Sequence, residues 1–152
     1  MNQQQELLER FYTAFQKLDW ETMTSCYHPE ATFKDPAFTL SGAEVGLMWK
    51  MLCTRAKDFD LSFNVAKVND TQGEVNWEAN YLFSKTGRKV NNKIKANITF
   101  KDGLIYQHHD DFNFWRWSRQ AIGLPAYLLG WSSTFQNAVS KQAMAQLSQF
   151  ES

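Results

Sequence analysis

The sequence predicts an α+β domain. A curved antiparallel sheet wraps around N-terminal helices into a cone, and an extra helix follows at the C-terminus. Three observations carry this. Apolar residues recur at helical spacing as far as Leu52, then alternate strictly from Phe59 onward. Turn signals ("NDTQG", "KTGR", "KDG") separate the alternating stretches, so they read as hairpins in series and not as strands joined by crossovers. The chain has 152 residues, 43% of them hydrophobic, with 12 Phe and 6 Trp, which suits one domain over 1–152 with one core.

Each element has a local reason. Leu7, Leu8, Phe11, Phe15 and Leu18 form one apolar stripe, predicting a helix near 4–18. Asp19 can cap a second helix near 20–27, which His28-Pro29 ends. "ATFKD" alternates as a short strand with Ala31, Phe33 and Asp35 on one face. "SGAE" reads as a capping box opening a third helix near 42–57, with Val45, Met48, Trp49 and Leu52 on its apolar face. Strands are predicted near 59–69, 74–84, 89–101 and 104–114. Their inward residues include Phe59, Leu61, Trp77, Ala79, Tyr81, Ile94, Ala96 and Ile98. On the last strand Phe112 and Phe114 place His108 and Asp110 inward and His109, Asp111 and Asn113 outward. Ile105 has the wrong parity, which a bulge near Tyr106 or Gln107 repairs. The segment 115–152 is an extension: Gly123, Pro125 and Gly130 break its first half, and Phe135, Val139, Ala143, Leu147 and Phe150 make a helical stripe that packs on the domain or on a dimer partner.

Sixteen basic and sixteen acidic residues balance, and no Lys/Arg run appears. A nucleic-acid binder or a membrane-surface protein needs a positive field, so neither partner is expected. Cys26 and Cys53 read as buried hydrophobes; no CxxC or HExxH motif implies a metal, and no cofactor is expected. The polar start "MNQQQELLER" lacks an apolar signal region and no apolar run approaches the ~20 residues of a span, giving a cytoplasmic expectation.

The pattern "HPEATFKDPAF" aims the Asp35 carboxylate the same way as Phe33, with Pro36 fixing the backbone after it. A carboxylate so placed is either a turn residue bonding nearby backbone or an acid/base group in a cavity. Two carboxylates in one apolar cavity would not both ionise easily, and one pKa would rise.

Three stretches together resemble the NTF2-like superfamily: "ERFYTAFQKLDWETMTSCYHPEATFKDP", the "LSG" before the third helix, and "KDGLIYQHHDDFNFWRW". The resemblance covers about residues 5–117, and its nearest branches are the SnoaL-like proteins, the ketosteroid isomerases and the limonene-epoxide hydrolases. The isomerase comparison implies that Asp35 is a proton-moving base. The isomerases' two oxyanion donors would fall on Phe11 and Ala96, neither of which can donate, and an oxyanion donor is worth ~2.7–4 kcal/mol. Isomerisation through a dienolate is therefore disfavoured. The hydrolase comparison puts an Asp at Asp110 but leaves its Arg and second Asp unmatched. The SnoaL-like cyclases use an acidic residue with a His nearby, which His108 and Asp110 meet. The resemblance thus implies catalytic Asp35, His108 and Asp110. The cavity would be lined by Phe11, Phe15, Phe33, Trp49, Trp77, Tyr81, Ala96 and Phe112, and would hold a small apolar or aromatic molecule. A non-catalytic ligand binder, a protein-interaction domain and an oligomerisation domain are the alternatives. The resemblance also implies a homodimer through the outer sheet face, where Asn76, Asn80, Asn97 and Thr99 stand, with Trp115, Trp117 and Trp131 adding aromatic area.

Overall fold

Helix α1 (Gln3–Gln16) begins where Asn2 Oδ1 accepts from the Gln5 N–H at 2.7 Å, and it buries Leu7, Leu8, Phe11, Tyr12 and Phe15. Helix α2 (Trp20–Ser25) is capped by Asp19, which accepts from Thr22 N. The computed structural model describes residues 2–151; Met1 and Ser152 of the expected 1–152 span lie outside the described residues. Strands β1 (Tyr27–Lys34) and β2 (Thr39–Ser41) form a hairpin, and α3 (Ala43–Arg55) follows. Half of the expected capping box forms: Ser41 N donates to Glu44 Oε1 at 3.2 Å, but the N-cap is Gly42 at φ 60°, ψ −131°, with no side-chain cap. That backbone favours glycine.

The meander comprises β3 (Lys57–Val68), β4 (Gln72–Leu82), β5 (Lys89–Lys101) and β6 (Leu104–Asp111). Asn69 Oδ1 closes the first turn by accepting from Thr71 N and Gln72 N. The six strands lie in the order β2-β1-β6-β5-β4-β3. All meander pairs are antiparallel, but β1 joins β6 in parallel, so the sheet is mixed and not purely antiparallel. The physical reason is topological: β1 reaches β6 from the far end of the chain, with no hairpin to set its direction. Thr99 pairs with Gln107 and Phe100 with Ile105, which leaves Tyr106 as the extra residue of a bulge; Ile105 and His108 are both buried as a result.

Strand β6 ends at Asp111, three residues before the expected boundary. Asn113 Oδ1 instead accepts from Arg116 N and caps helix α4 (Phe114–Ala121). Beyond the end of β6 the exposed side of β5 is closed by helix side chains: Arg116 Nη1 donates to Asn91 O at 2.7 Å and Gln120 Oε1 accepts from Asn91 N at 2.7 Å. Backbone groups that lose a strand partner need such a substitute. Helix α5 (Leu124–Leu129) is short, and α6 (Ser133–Glu151) returns over the domain. Ser140 Oγ donates to Ala37 O at 2.6 Å and Gln136 Nε2 to Pro36 O at 3.4 Å, fastening α6 to the β1–β2 turn. The core lies between α1–α3 and the concave sheet face, where Phe15 packs edge-on against Trp49 and Trp77 at 4.9 and 5.3 Å. Both cysteines are buried thiols, and burial pushes Cys53 up to about 11.

Candidate functional site

Four buried side chains form one hydrogen-bonded chain through the core. Trp49 Nε1 donates to Tyr27 Oη at 3.0 Å, Tyr27 Oη lies 2.6 Å from His108 Nδ1, and His108 Nε2 lies 2.8 Å from Asp110 Oδ1. Three elements supply them: Trp49 comes from α3, Tyr27 from the start of β1, and the His–Asp pair from alternate sites on β6. With a neutral imidazole and an ionised carboxylate, one polarity satisfies every member, because an indole N–H only donates and a carboxylate only accepts. Protons then point from Trp49 to Tyr27, to His108, to Asp110, and the imidazole carries its proton on Nε2. Burial pushes the Tyr27 hydroxyl well above its usual range, so it stays protonated. Phe11 and Phe33 pack edge-on against the His108 ring at 5.9 and 4.9 Å and hold it in plane with the chain.

A cavity of about 240 Å³ lies between the sheet, α3 and α6. Phe15, Phe33, Trp49, Trp77, Tyr81 and Phe112 line it, as do both Asp35 and Asp110. Phe11, Ala96 and His108 do not: they are buried behind the wall, and the void is shared by the two carboxylates without the histidine. Strand parity selects the inward face, but the cavity occupies only one end of that face. Ala96 pairs with Asp110 near the packed end, while Asn92 stands four residues closer to the mouth. Val139, Gln142, Ala143 and Gln146 of α6 form the roof, and Trp117 forms part of the wall. Trp117 Nε1 donates to Tyr81 Oη at 2.9 Å, so this residue belongs to the cavity and not to the outer face.

Asp35 shows both features that its sequence context allows. Its Oδ1 accepts from Ala37 N and Phe38 N, each at 2.7 Å, as a turn carboxylate does. Its Oδ2 has no hydrogen-bond partner among the described residues, and the side chain lines the cavity. Burial raises its pKa to about 7; the Phe38 and Ala37 N–H groups oppose the rise, and the charge of Asp110 adds to it. Near neutral pH this carboxyl is therefore divided between its acid and base forms.

Two polar groups were not singled out from the sequence. Tyr27 sits where the second helix was expected to end, so neither period marked it. Asn92 shares the parity of Ile94, which was the available signal. It is 4% exposed, it lines the cavity, and its amide has no hydrogen-bond partner among the described residues. No cluster of three or more His, Cys, Asp or Glu that could hold a metal ion occurs among the described residues.

No curated protein matches the sequence. Solved structures resemble the fold closely. A polyketide-cyclase candidate from a Silicibacter species superposes with a TM-score of 0.69 at 16% identity, covering 78% of this chain and 94% of its own. A protein with a ketosteroid isomerase-like fold from Catenulispora acidiphila, in complex with trimethylamine, gives 0.67 at 13% identity, covering 80% and 95%. An LEH-like epoxide hydrolase from M. tuberculosis gives 0.63 at 14% identity, covering 83% and 95%. These likenesses establish the cone. A sequence model described as the SnoaL-like domain matches residues 8–108, from the first helix to His108 on β6, a span that includes Asp35 and stops two residues short of Asp110. The helices, the six-stranded cone and this match together place the chain in the SnoaL-like domain family, within the NTF2-like superfamily.

Proposed function

We propose that the chain is an acid–base enzyme acting without a covalent intermediate on a small, largely apolar molecule held in the cone. One observation carries this reading: two carboxyl groups share one apolar cavity, and they have different surroundings. Asp35 titrates near 7 and keeps one oxygen unpaired. Asp110 is backed by a buried imidazole that accepts from a buried hydroxyl. Carboxyl groups in such contrasting surroundings suit opposite halves of a proton transfer. Asp35 takes or gives the proton at the reacting atom. Asp110 contacts the substrate or an attacking water, and His108 is a positioning residue that acts through Asp110. The amide of Asn92 and the hydroxyl of Tyr81 supply polar anchors on a largely apolar wall. Proton transfer, cyclisation and hydration all fit these groups; dienolate isomerisation fits less well, because Phe11 and Ala96 provide no oxyanion donors.

The test begins with the molecule that co-purifies, identified by native mass spectrometry. Its turnover is then followed by proton exchange from heavy water. Asp35→Asn and Asp110→Asn are each expected to lower the rate by about 10²–10⁴ while ligand binding persists, the usual contribution of a positioned general acid or base. Full activity in Asp35→Asn would return that residue to its turn role. The alternative of a non-catalytic binder rests on the two backbone bonds to Asp35 Oδ1, and it predicts ligand binding without any exchange.

We also propose a homodimer through the outer sheet face. Asn76, Asn80 and Asn97 are exposed there and carry no charge to desolvate. Sedimentation velocity at micromolar concentration should give twice the chain mass; a monomer at all concentrations refutes it.

A further inference from the structure

Helix α5 is held to the domain by little of its surface. Ala126 is its one fully buried residue among the described ones, and Trp115 Nε1 donates to Ala126 O at 3.2 Å. The other large side chains stand in solvent: Leu124 is 74% exposed, Leu128 67%, and Trp131 just beyond the helix 71%. Tyr127 and Leu129 are exposed as well, each at 54%. Scattered surface leucines need no explanation, but a contiguous set on one short helix marks a binding surface.

The chain segments beside this surface carry charge of one sign, and the nearest acid bonded to them is Glu78, which accepts from Asn91 Nδ2 at 2.7 Å. Residues 83–91 and 112–150 together contain six basic residues and no acidic one. The fold brings these two segments side by side. Thr86 Oγ1 donates to Ala121 O at 2.6 Å, Arg88 Nε donates to Gln120 O at 2.8 Å, and a Cβ on Gly123 would stand 3.1 Å from Arg88 Cζ. Arg88 thus borders the start of α5, with Lys85 and Lys89 close to it in the chain. On its other flank the Arg119 guanidinium stacks 4.3 Å from the Trp115 ring and 5.7 Å from that of Tyr127. None of these basic groups forms an ion pair among the described residues; the ion pairs that do form lie elsewhere. The balanced total charge conceals this segregation.

We infer that the Leu124–Trp131 surface docks the protein peripherally on an anionic lipid bilayer. Exposed Leu, Tyr and Trp side chains are what an interfacial segment inserts below the headgroups, and unpaired Arg and Lys at its edge are what anionic headgroups attract. Two competing occupants fit less well. A two-fold contact with a second copy would bring unpaired positive charges together with no acid to meet them. Nucleic acid would use the charges but would leave Leu124, Leu128 and Leu129 in water. Among the described residues no helix is long and apolar enough to cross a membrane, which suits peripheral attachment. The turn carrying the basic rim also supplies Phe83, Ser84 and Lys85 to the cavity wall, so the docking surface and the cavity are neighbours. The inference stands without the catalytic reading.

Flotation of the purified full chain with vesicles of phosphatidylcholine, with and without phosphatidylglycerol, tests this. The wild type should float with the anionic vesicles, detach as salt rises, and bind neutral vesicles weakly. The double variant Leu128→Ser, Trp131→Ser alters only exposed side chains and should keep its melting temperature; its partition should fall at least about tenfold, as removal of inserted apolar area requires. Absence of wild-type binding to anionic vesicles overturns the inference, and is the outcome expected if an acidic protein covers the surface. Undiminished binding of the variant overturns it too, by showing electrostatic adsorption alone. A wild-type dimer that the double variant splits, with no vesicle binding, would assign the surface to a second copy.

Discussion

Asp35→Asn is expected to stabilise the folded chain by about 2–4 kcal/mol at pH 8 and to leave it nearly unchanged at pH 4, since each pKa unit is worth ~1.4 kcal/mol. The sign follows from the raised pKa. The folded carboxyl titrates at about 7 and the unfolded one near 3.8, so between these values the folded state holds the extra proton. Wild-type stability from this group is complete below the unfolded pKa, falls as pH rises through the window, and levels off above the folded value. Asparagine keeps an oxygen for Ala37 N and Phe38 N but never ionises. Urea unfolding at several pH values reads the difference directly. A variant equal to wild type at pH 8 would mean that the Asp35 carboxylate is solvated and that its titration is ordinary. A gain in stability together with a loss of turnover would be the signature of a group held in an unfavourable state for use.

Tyr27→Phe is expected to destabilise the protein by about 2–4 kcal/mol, because one missing oxygen leaves two buried groups unpaired. Trp49 Nε1 loses its acceptor and His108 Nδ1 its hydroxyl partner. Trp49 and His108 are each 2% exposed, so water cannot replace the lost bonds without opening the core. Denaturant unfolding measures the cost. Nitrogen chemical shifts of the imidazole supply the second readout: wild type should show the proton on Nε2, and the variant a redistribution between the two nitrogens. An unaltered ring together with a small stability change would indicate that Tyr27 is only packing. If Asp110 works as proposed, turnover falls in this variant more than the stability loss at the assay temperature explains.

Much of the fold was legible because it is set by local spacing. The change from period 3.6 to period 2 at Phe59 marks the start of the meander, and the wrong parity of Ile105 points to the bulge that Tyr106 makes. The alternation of Phe112 and Phe114 predicts a last strand three residues longer than the one that forms; what stops it is Asn113, whose side chain caps a helix just as well as it faces solvent. The parallel pairing of β1 with β6 had no local signal, since the two strands are separated by most of the domain.

By itself the sequence determined which residues point inward. The pleat alternates with a fixed period, and so His108 and Asp110 share the concave side with Phe33, whereas Asp35, one residue past β1, was open between a turn and a cavity role. Parity carries no information on depth along that face, and depth is what separates a cavity wall from a packed core. Only the tertiary structure decided that Asp110 meets the void while His108 stands behind it against Phe33 and Phe11, bonded to a tyrosine 81 residues away. It likewise decided that α6 roofs the cavity through bonds spanning 100 and 103 residues. Such contacts depend on how bulky side chains from distant elements fill one shared volume, and that volume exists only once all of them are in place.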